Sequence, residues 1–220
     1  ILIRDRTELR DRDRQLVTKD ATIREIHHRV KNNLQTVAAL LRLQSRRMSN
    51  SDAKDALKQA MGRVSAIAVV HEILSQNFEE QVAFDEVADR ILHMVGDVAA
   101  SSGSVVARRE GSFGEVPAET ATALSLATTE LCQNAIEHSL DSSSGNVIVR
   151  SHRTDDALVV DIVSDGKPLP EGFSLDNHRS SLGLSIVTTL MQDLGGTFTL
   201  EDNSDRVGTC ARLVIPLQRL

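Results

Sequence analysis

Glu25-Ile26-His27-His28-Arg29-Val30-Lys31-Asn32-Asn33-Leu34-Gln35 places two adjacent histidines, several charges and three side-chain amides inside a run with helical period. Around it, apolar residues recur at Ile23, Ile26, Val30, Leu34, Val37, Leu41 and Met48. Steps of three and four predict a helix over about 20–48 with one buried stripe. His27 borders that stripe, whereas Arg24, His28, Lys31, Asn32, Gln35 and Arg42 trace the opposite face. His28 is therefore the histidine expected in water. Attack on a phosphoryl group needs a reachable, neutral imidazole, and the near-neutral pKa of His allows one. A plain bundle helix with surface and boundary histidines accounts for the same pattern.

Working outward, Leu2, Leu9, Leu16 and Ile23 are seven apart in a stretch rich in Arg and Asp. This predicts a signalling coiled coil over 1–19, with a solvated terminus as the alternative. The chain begins without Met inside that charged pattern, so an upstream part, with any sensor, is expected. After the histidine helix, Ser49-Asn50-Ser51-Asp52 supplies turn and capping residues for a second helix over about 52–76. Its apolar face carries Leu57, Met61, Val64, Ile67, Ala68, Ile73 and Leu74. Two antiparallel helices cannot bury such stripes alone, so a homodimer joined as a four-helix bundle is expected.

From about residue 80 helices and strands mix. Helices are expected at 84–100, 118–139 and 182–194. Strands are expected at 104–109, 146–152, 157–163, 197–201 and 209–215. Hairpin-linked strands with separate helices predict an α+β class, a sandwich with helices on one sheet face. The domains expected are thus 1–19, 20–79 and 80–220.

Composition narrows the function. A net charge of −6, no Trp or Tyr and five Phe leave neither a basic field nor stacking surfaces, so no direct nucleic-acid binding is expected. No apolar run reaches the roughly 18 residues of a membrane span, and the start lacks a signal-peptide pattern, which predicts a cytoplasmic chain. Cys132 and Cys210 have no metal-ligand or disulfide spacing and read as free thiols.

Two further clusters stand out. Glu130, Asn134, Glu137 and His138 fall three or four apart on one predicted helix face. An amide oxygen with a carboxylate suits a hydrated Mg²⁺ bridging to phosphates; a solvated helix face is the plainer reading. In the loop 164–181, Ser164-Asp165-Gly166 follows a strand, and Ser180-Ser181-Leu182-Gly183-Leu184 opens a helix whose backbone N–H groups can face a phosphate.

Together these pieces resemble a known family. His28-Arg29-Val30-Lys31-Asn32-Asn33-Leu34-Gln35 is similar to the phosphoacceptor box of the HisKA_2/HWE group of bacterial sensor histidine kinases. Glu130-Leu131-Cys132-Gln133-Asn134-Ala135-Ile136-Glu137-His138 resembles the N box of their GHKL-type ATPase domain. Gly208-Thr209 before the last strand fits as well, and Thr18-Lys19-Asp20 through Arg46 resembles the PdtaS-type subgroup of actinobacteria.

The resemblance implies a dimerising helical hairpin followed by a GHKL-type ATP-binding domain. It implies ATP and Mg²⁺ as cofactors, autophosphorylation on His28 and transfer to an aspartate in a response-regulator receiver domain. By analogy with the subgroup, that regulator carries an ANTAR RNA-binding output. Asn134 would hold Mg²⁺, Glu130 would position or deprotonate, and Glu25, one turn before His28, would hydrogen-bond its ring. His138, Ser164, Asp165, Gly166, Ser181, Leu182, Gly183, Leu184 and Thr209 would meet the nucleotide.

The chain also departs from the pattern. Ser164 stands where the family has the aspartate that accepts the adenine amino group's hydrogen bond, and Pro168 stands for a glycine. Asp165 is one residue late and, after a strand, faces the other way unless the loop shifts. A second reading is therefore a weak or inactive relative that serves as a dimeric docking module for a regulator or partner kinase.

Overall fold

The structure, a computed structural model, describes residues 2–76, 81–100, 105–140, 144–175, 182–204 and 207–217, with side chains described for these except 2–20 and 98–100. The histidine helix is α1, Leu2–Arg47, unbroken through the expected boundary near residue 20. A short turn leads to α2, Ser51–Gln76. Asn50 caps it, its Oδ1 accepting from the Asp52 N–H at 2.8 Å and the Ala53 N–H at 3.4 Å. That bond satisfies donors the first turn leaves without helical partners.

The expected single stripe of α1 is in fact two seams. His27, Lys31, Leu34, Ala38, Leu41 and Ser45 are half-buried, while Ile23, Ile26, Val37, Leu40 and Met48 remain exposed. Leu34 and Ala38 line a groove with Val64, Ala68 and Val69 of α2. Apolar periodicity records that a face avoids water but not which neighbour covers it, so the two seams merged in the sequence. Lys31, expected on the far side, points to α2 and pairs with Glu72 at 3.0 Å.

Beyond the hairpin come β1 (Gln81–Ala83), α3 (Phe84–Ala100), β2 (Val105–Glu110), β3 (Glu115–Pro117) and α4 (Ala118–Asn134). A π turn over Ala135–Ser139 ends α4. Then follow β4 (Gly145–Arg153), β5 (Ala157–Ser164), α5 (Leu182–Asp193), β6 (Thr197–Asp202) and β7 (Thr209–Pro216). The main sheet has the order β2-β4-β5-β7-β6. Only β2–β4 among its pairs is parallel. The three-residue strands β1 and β3, too short to show a period, form a separate antiparallel ribbon and were not expected.

Strand alternation makes this sheet one-sided. Leu158, Val160, Ile162 and Ser164 of β5 are buried, while Val159, Asp161 and Val163 between them are half-exposed. The buried set meets α3, α4 and α5 through Ile91, Leu124, Leu131, Val187 and Met191, the layered α/β sandwich expected. Phe84 and Phe113, both fully buried with ring centroids 5.0 Å apart, seal the end near the ribbon. Val70, Ile73 and Leu74 at the end of α2 belong to this same core. The hairpin is thus rooted in the sheet domain.

Candidate active site

His28 is exposed on α1. The Asn32 amide nitrogen, one turn on, stands 3.4 Å from its Nδ1, leaving Nε2 open. The hydrogen bond expected from Glu25 to His28 is not formed. Glu25 instead accepts from Arg29 Nε at 2.7 Å, and that bond holds its carboxyl below the usual range. An arginine four residues along reaches a glutamate better than a shorter imidazole does on the same surface.

His27 turns inward to His71 of α2, with the two Nδ1 atoms 2.9 Å apart. One must donate and the other accept, so the pair shares a proton. Burial lowers the pKa of both, and His27 lowers that of His71 further. Glu72, next to His71 in the chain, pairs with Lys31 at 3.0 Å and with Arg90 at 3.2 Å. The sign follows from linkage: the unfolded chain takes up protons near 6.5, before the folded pair does. The contribution is therefore full above that value and is lost progressively as pH falls from it through the lowered folded pKa. The melting temperature is expected to drop between pH 7.5 and 5.5, and His71→Gln is expected to flatten that slope, as thermal unfolding followed by circular dichroism will show.

The second cluster assembles where α2, α4 and α5 meet. Glu130 is 3% exposed, and both its carboxylate oxygens are taken by Arg63 of α2, from Nε at 2.7 Å and Nη2 at 2.9 Å. These bonds hold the Arg63 guanidinium above its usual range. At Gly183, in the first turn of α5, an added Cβ would lie 2.7 Å from Glu130 Oε2 and 3.6 Å from Asn134 Nδ2. A larger residue would close this junction. Asn134 Nδ2 is shielded from water and has no hydrogen-bond partner among the described residues. A buried N–H donor left so, beside a helix N-terminus, fits a phosphate oxygen, and the oxygen of the same amide suits the phosphate's hydrated cation.

The four residues expected on one helix face do not stay together. Glu130 and Glu137 turn to α2, Glu137 meeting Gln59 at 3.3 Å, while His138 is exposed in the π turn. In that turn the Leu140 N–H bonds to the Ala135 carbonyl, five residues back.

At the far end, Ser164 is 1% exposed. Its Oγ lies 2.7 Å from Ser139 Oγ and 2.9 Å from Thr209 Oγ1, a buried chain of three hydroxyls. Gly166 presses on this chain, since a Cβ there would stand 2.2 Å from the Ser139 carbonyl oxygen. Asp165, expected with the nucleotide, faces away. Its carboxylate accepts from the Asn146 backbone N–H at 2.7 Å and from the Asn146 side chain, because successive strand residues point to opposite faces. Of the α5 residues, Leu184 is buried and Leu182 is exposed at 62%. Ser181 lies outside the described residues.

Two family models match the chain. Residues 25–99 match HisKA_2, described as histidine kinase. Residues 119–219 match HATPase_c, the histidine kinase-, DNA gyrase B-, and HSP90-like ATPase. The chain belongs to the histidine kinase family. It is 51% identical over its whole length to the sensor histidine kinase PdtaS of Mycobacterium tuberculosis and 49% identical to that of Mycolicibacterium smegmatis, spanning 44% of each relative's length. Among solved structures, the histidine kinase domain of Erythrobacter litoralis EL346 blue-light activated histidine kinase superposes with a TM-score of 0.62 at 26% identity, covering 94% of both chains. The catalytic domain of histidine kinase ThkA covers 62% of this chain at 20% identity with a TM-score of 0.52, a likeness of fold. No helix among the described residues is long and apolar enough to cross a membrane.

Sequence reasoning missed two members of these clusters, Arg63 and Ser139. Neither lies in a motif already quoted for chemistry. One signal was available: Gly62, a lone glycine inside a helix, marks a place where another element comes close.

Proposed function

We propose that this chain is the catalytic core of a two-component kinase, transferring the γ-phosphoryl of ATP to its own His28 and then to a receiver-domain aspartate. The observation that carries this reading is the pairing, in one chain, of an exposed His28 with the Glu130–Asn134–Gly183 junction. MgATP supplies an activated phosphoryl group whose transfer needs positioning and charge neutralisation more than covalent chemistry from the protein. Asn134 would hold the Mg²⁺, and the first amides of α5 would meet the phosphates. Ser164, Ser139 and Thr209 would meet the base through neutral hydroxyls. His28 Nε2 would form the new P–N bond as the P–O bond to ADP breaks, in the tautomer that keeps the ring proton on Nδ1, with the Asn32 amide turned to offer that proton its oxygen. The exposed seam of Ile23, Ile26, Val37 and Leu40 is the surface by which two copies would complete a four-helix bundle. A cytoplasmic receiver domain, with an ANTAR output by analogy with the subgroup, is the partner this reading assigns.

The buried hydroxyl chain favours a second reading. A carboxylate there would give a charge-assisted bond to an adenine amino group, and a neutral hydroxyl gives a weaker one. A docking module that binds ATP poorly fits that site. Incubation with γ-labelled ATP and Mg²⁺, followed by a receiver domain, separates the two. Acid-labile label on the parent that passes to the receiver supports the autokinase. Label on Ser164→Asp alone selects the docking module.

A further inference from the structure

The buried hydroxyls beneath the 164–175 loop have a direction. Ser164 Oγ accepts the Thr209 N–H at 3.3 Å and lies 2.7 Å from Ser139 Oγ and 2.9 Å from Thr209 Oγ1. A hydroxyl has one hydrogen and two lone pairs, so these contacts use all that Ser164 has. It can only pass a hydrogen bond from one neighbour to the other. Ser139 Oγ also donates to the Lys167 carbonyl at 3.0 Å, and a carbonyl can only accept. The polarity follows: Thr209 donates to Ser164, Ser164 to Ser139, and Ser139 to Lys167.

The two ends of the chain differ in access. At the Ser139 end the Lys167 N–H returns a bond to the Ser139 carbonyl at 2.7 Å, and a Cβ on Gly166 would stand 2.7 Å from Ser139 Oγ. The loop closes that end. Thr209 is the least buried of the three, 9% exposed against 6% for Ser139 and 1% for Ser164, and among the described residues its Oγ1 meets Ser164 alone. In the direction just given, Thr209 presents lone pairs and takes a donor such as the amino group of a 6-aminopurine. With every hydrogen turned the other way, Thr209 presents its hydrogen and suits an oxo group. That reversal loses one bond, Ser139 to Lys167, while the Lys167 N–H still holds the loop. One such bond changes affinity by about two- to tenfold.

We propose that the Ser139–Ser164–Thr209 chain is a reversible hydrogen-bond relay that makes this a purine-nucleotide site, taking 6-oxo as well as 6-amino bases. This rests on the placement of the nucleotide base at these hydroxyls under the kinase reading above. A carboxylate could not serve both bases, because it only accepts.

The test is titration calorimetry of the whole chain with ADP and with IDP, in Mg²⁺, for the parent, Ser139→Ala and Ser164→Asp. IDP has a 6-oxo group and a ring N1–H where ADP has an amino group and a bare N1, so the IDP-to-ADP ratio of Kd is compared between forms. The parent is expected to hold IDP within about tenfold of ADP. Ser164→Asp draws the neighbouring hydroxyl hydrogens to itself, leaves Thr209 only lone pairs, and is expected to raise the ratio about tenfold or more. In Ser139→Ala, a bond from Thr209 to Ser164 strands the buried Ser164 hydrogen, whereas a bond from Ser164 to Thr209 satisfies it and makes Thr209 the donor. Its ratio is expected to fall about tenfold, with IDP the tighter ligand.

A serine with only a structural role would weaken both nucleotides alike. A ratio in Ser139→Ala equal to or above the parent's therefore overturns the relay, and so does a parent that rejects IDP by about a hundredfold or more. Ser139→Ala decides alone where Ser164→Asp does not fold. Ratios that move as stated, in a chain whose His28 takes no label from γ-labelled ATP, support the relay and overturn the autokinase reading. No binding of either nucleotide by any form overturns the relay and the ATP site together.

Discussion

His28→Gln is expected to remove the acid-labile label completely, a fall of at least about a thousandfold, since loss of a nucleophile is the most damaging single change a covalent mechanism can suffer. His27→Gln is expected to keep most of the label. The two side chains are neighbours in sequence but about 100° apart around the helix, and of the two only His28 is exposed. His27 spends its Nδ1 on His71. Its loss therefore shows as a lower unfolding temperature, with the half-buried His71 left without its partner. The measurement is phosphoimaging after base and acid treatment, with thermal unfolding of the same samples. Label lost with His27→Gln and kept with His28→Gln would reverse the assignment.

Gly166→Ala carries the largest expected structural effect. One methyl group would stand 2.2 Å from the Ser139 carbonyl oxygen, 2.5 Å from its carbonyl carbon and 2.7 Å from its Oγ. The carbonyl also accepts the Lys167 N–H at 2.7 Å, and the hydroxyl belongs to the Ser164 chain. Backbone atoms cannot rotate aside as a side chain can. The substitution must push the loop off the π turn, at about 2–4 kcal/mol from overpacking plus broken hydrogen bonds. Gly96→Ala is the matching control. Nothing lies within 4 Å of its Cβ, so α3 is expected to gain about 0.5–1 kcal/mol from helix propensity. Urea midpoints of the two variants, moving in opposite directions, are the check.

What could be read from the sequence was whatever depends on local period. The helices of the hairpin, the five strands of the main sheet, the exposure of His28 and the divergence of Ser164 from Asp165 all follow from spacing along one element. What escaped depends on pairs far apart in the chain. Arg63 and Glu130 are 67 residues apart, and a charged residue on a helix gives no sign of whether water or a carboxylate receives it. Lys31 was misplaced for the same reason. Its half-buried position looks polar in the sequence, yet Glu72 makes that position tolerable. Glu25 was expected at His28, three residues on, but Arg29, four residues on, has the longer side chain and takes its carboxylate.

The π turn at the end of α4 sets a phase. In an ordinary α-helix, residues five apart lie about 140° from one another around the axis. The five-residue bond from Leu140 to Ala135 brings such residues back toward one line. Asn134 can therefore look toward α5 while Ser139, five positions later, still reaches Ser164 beneath the loop. One helix end can thus serve both extremes of an elongated ligand. Removing a single residue from Ala135–Ser139 would preserve every side chain named at Asn134 and rotate Ser139 away from its hydroxyl partners. The spacing of the N box is in that sense a ruler, and the extra residue in the turn is its calibration.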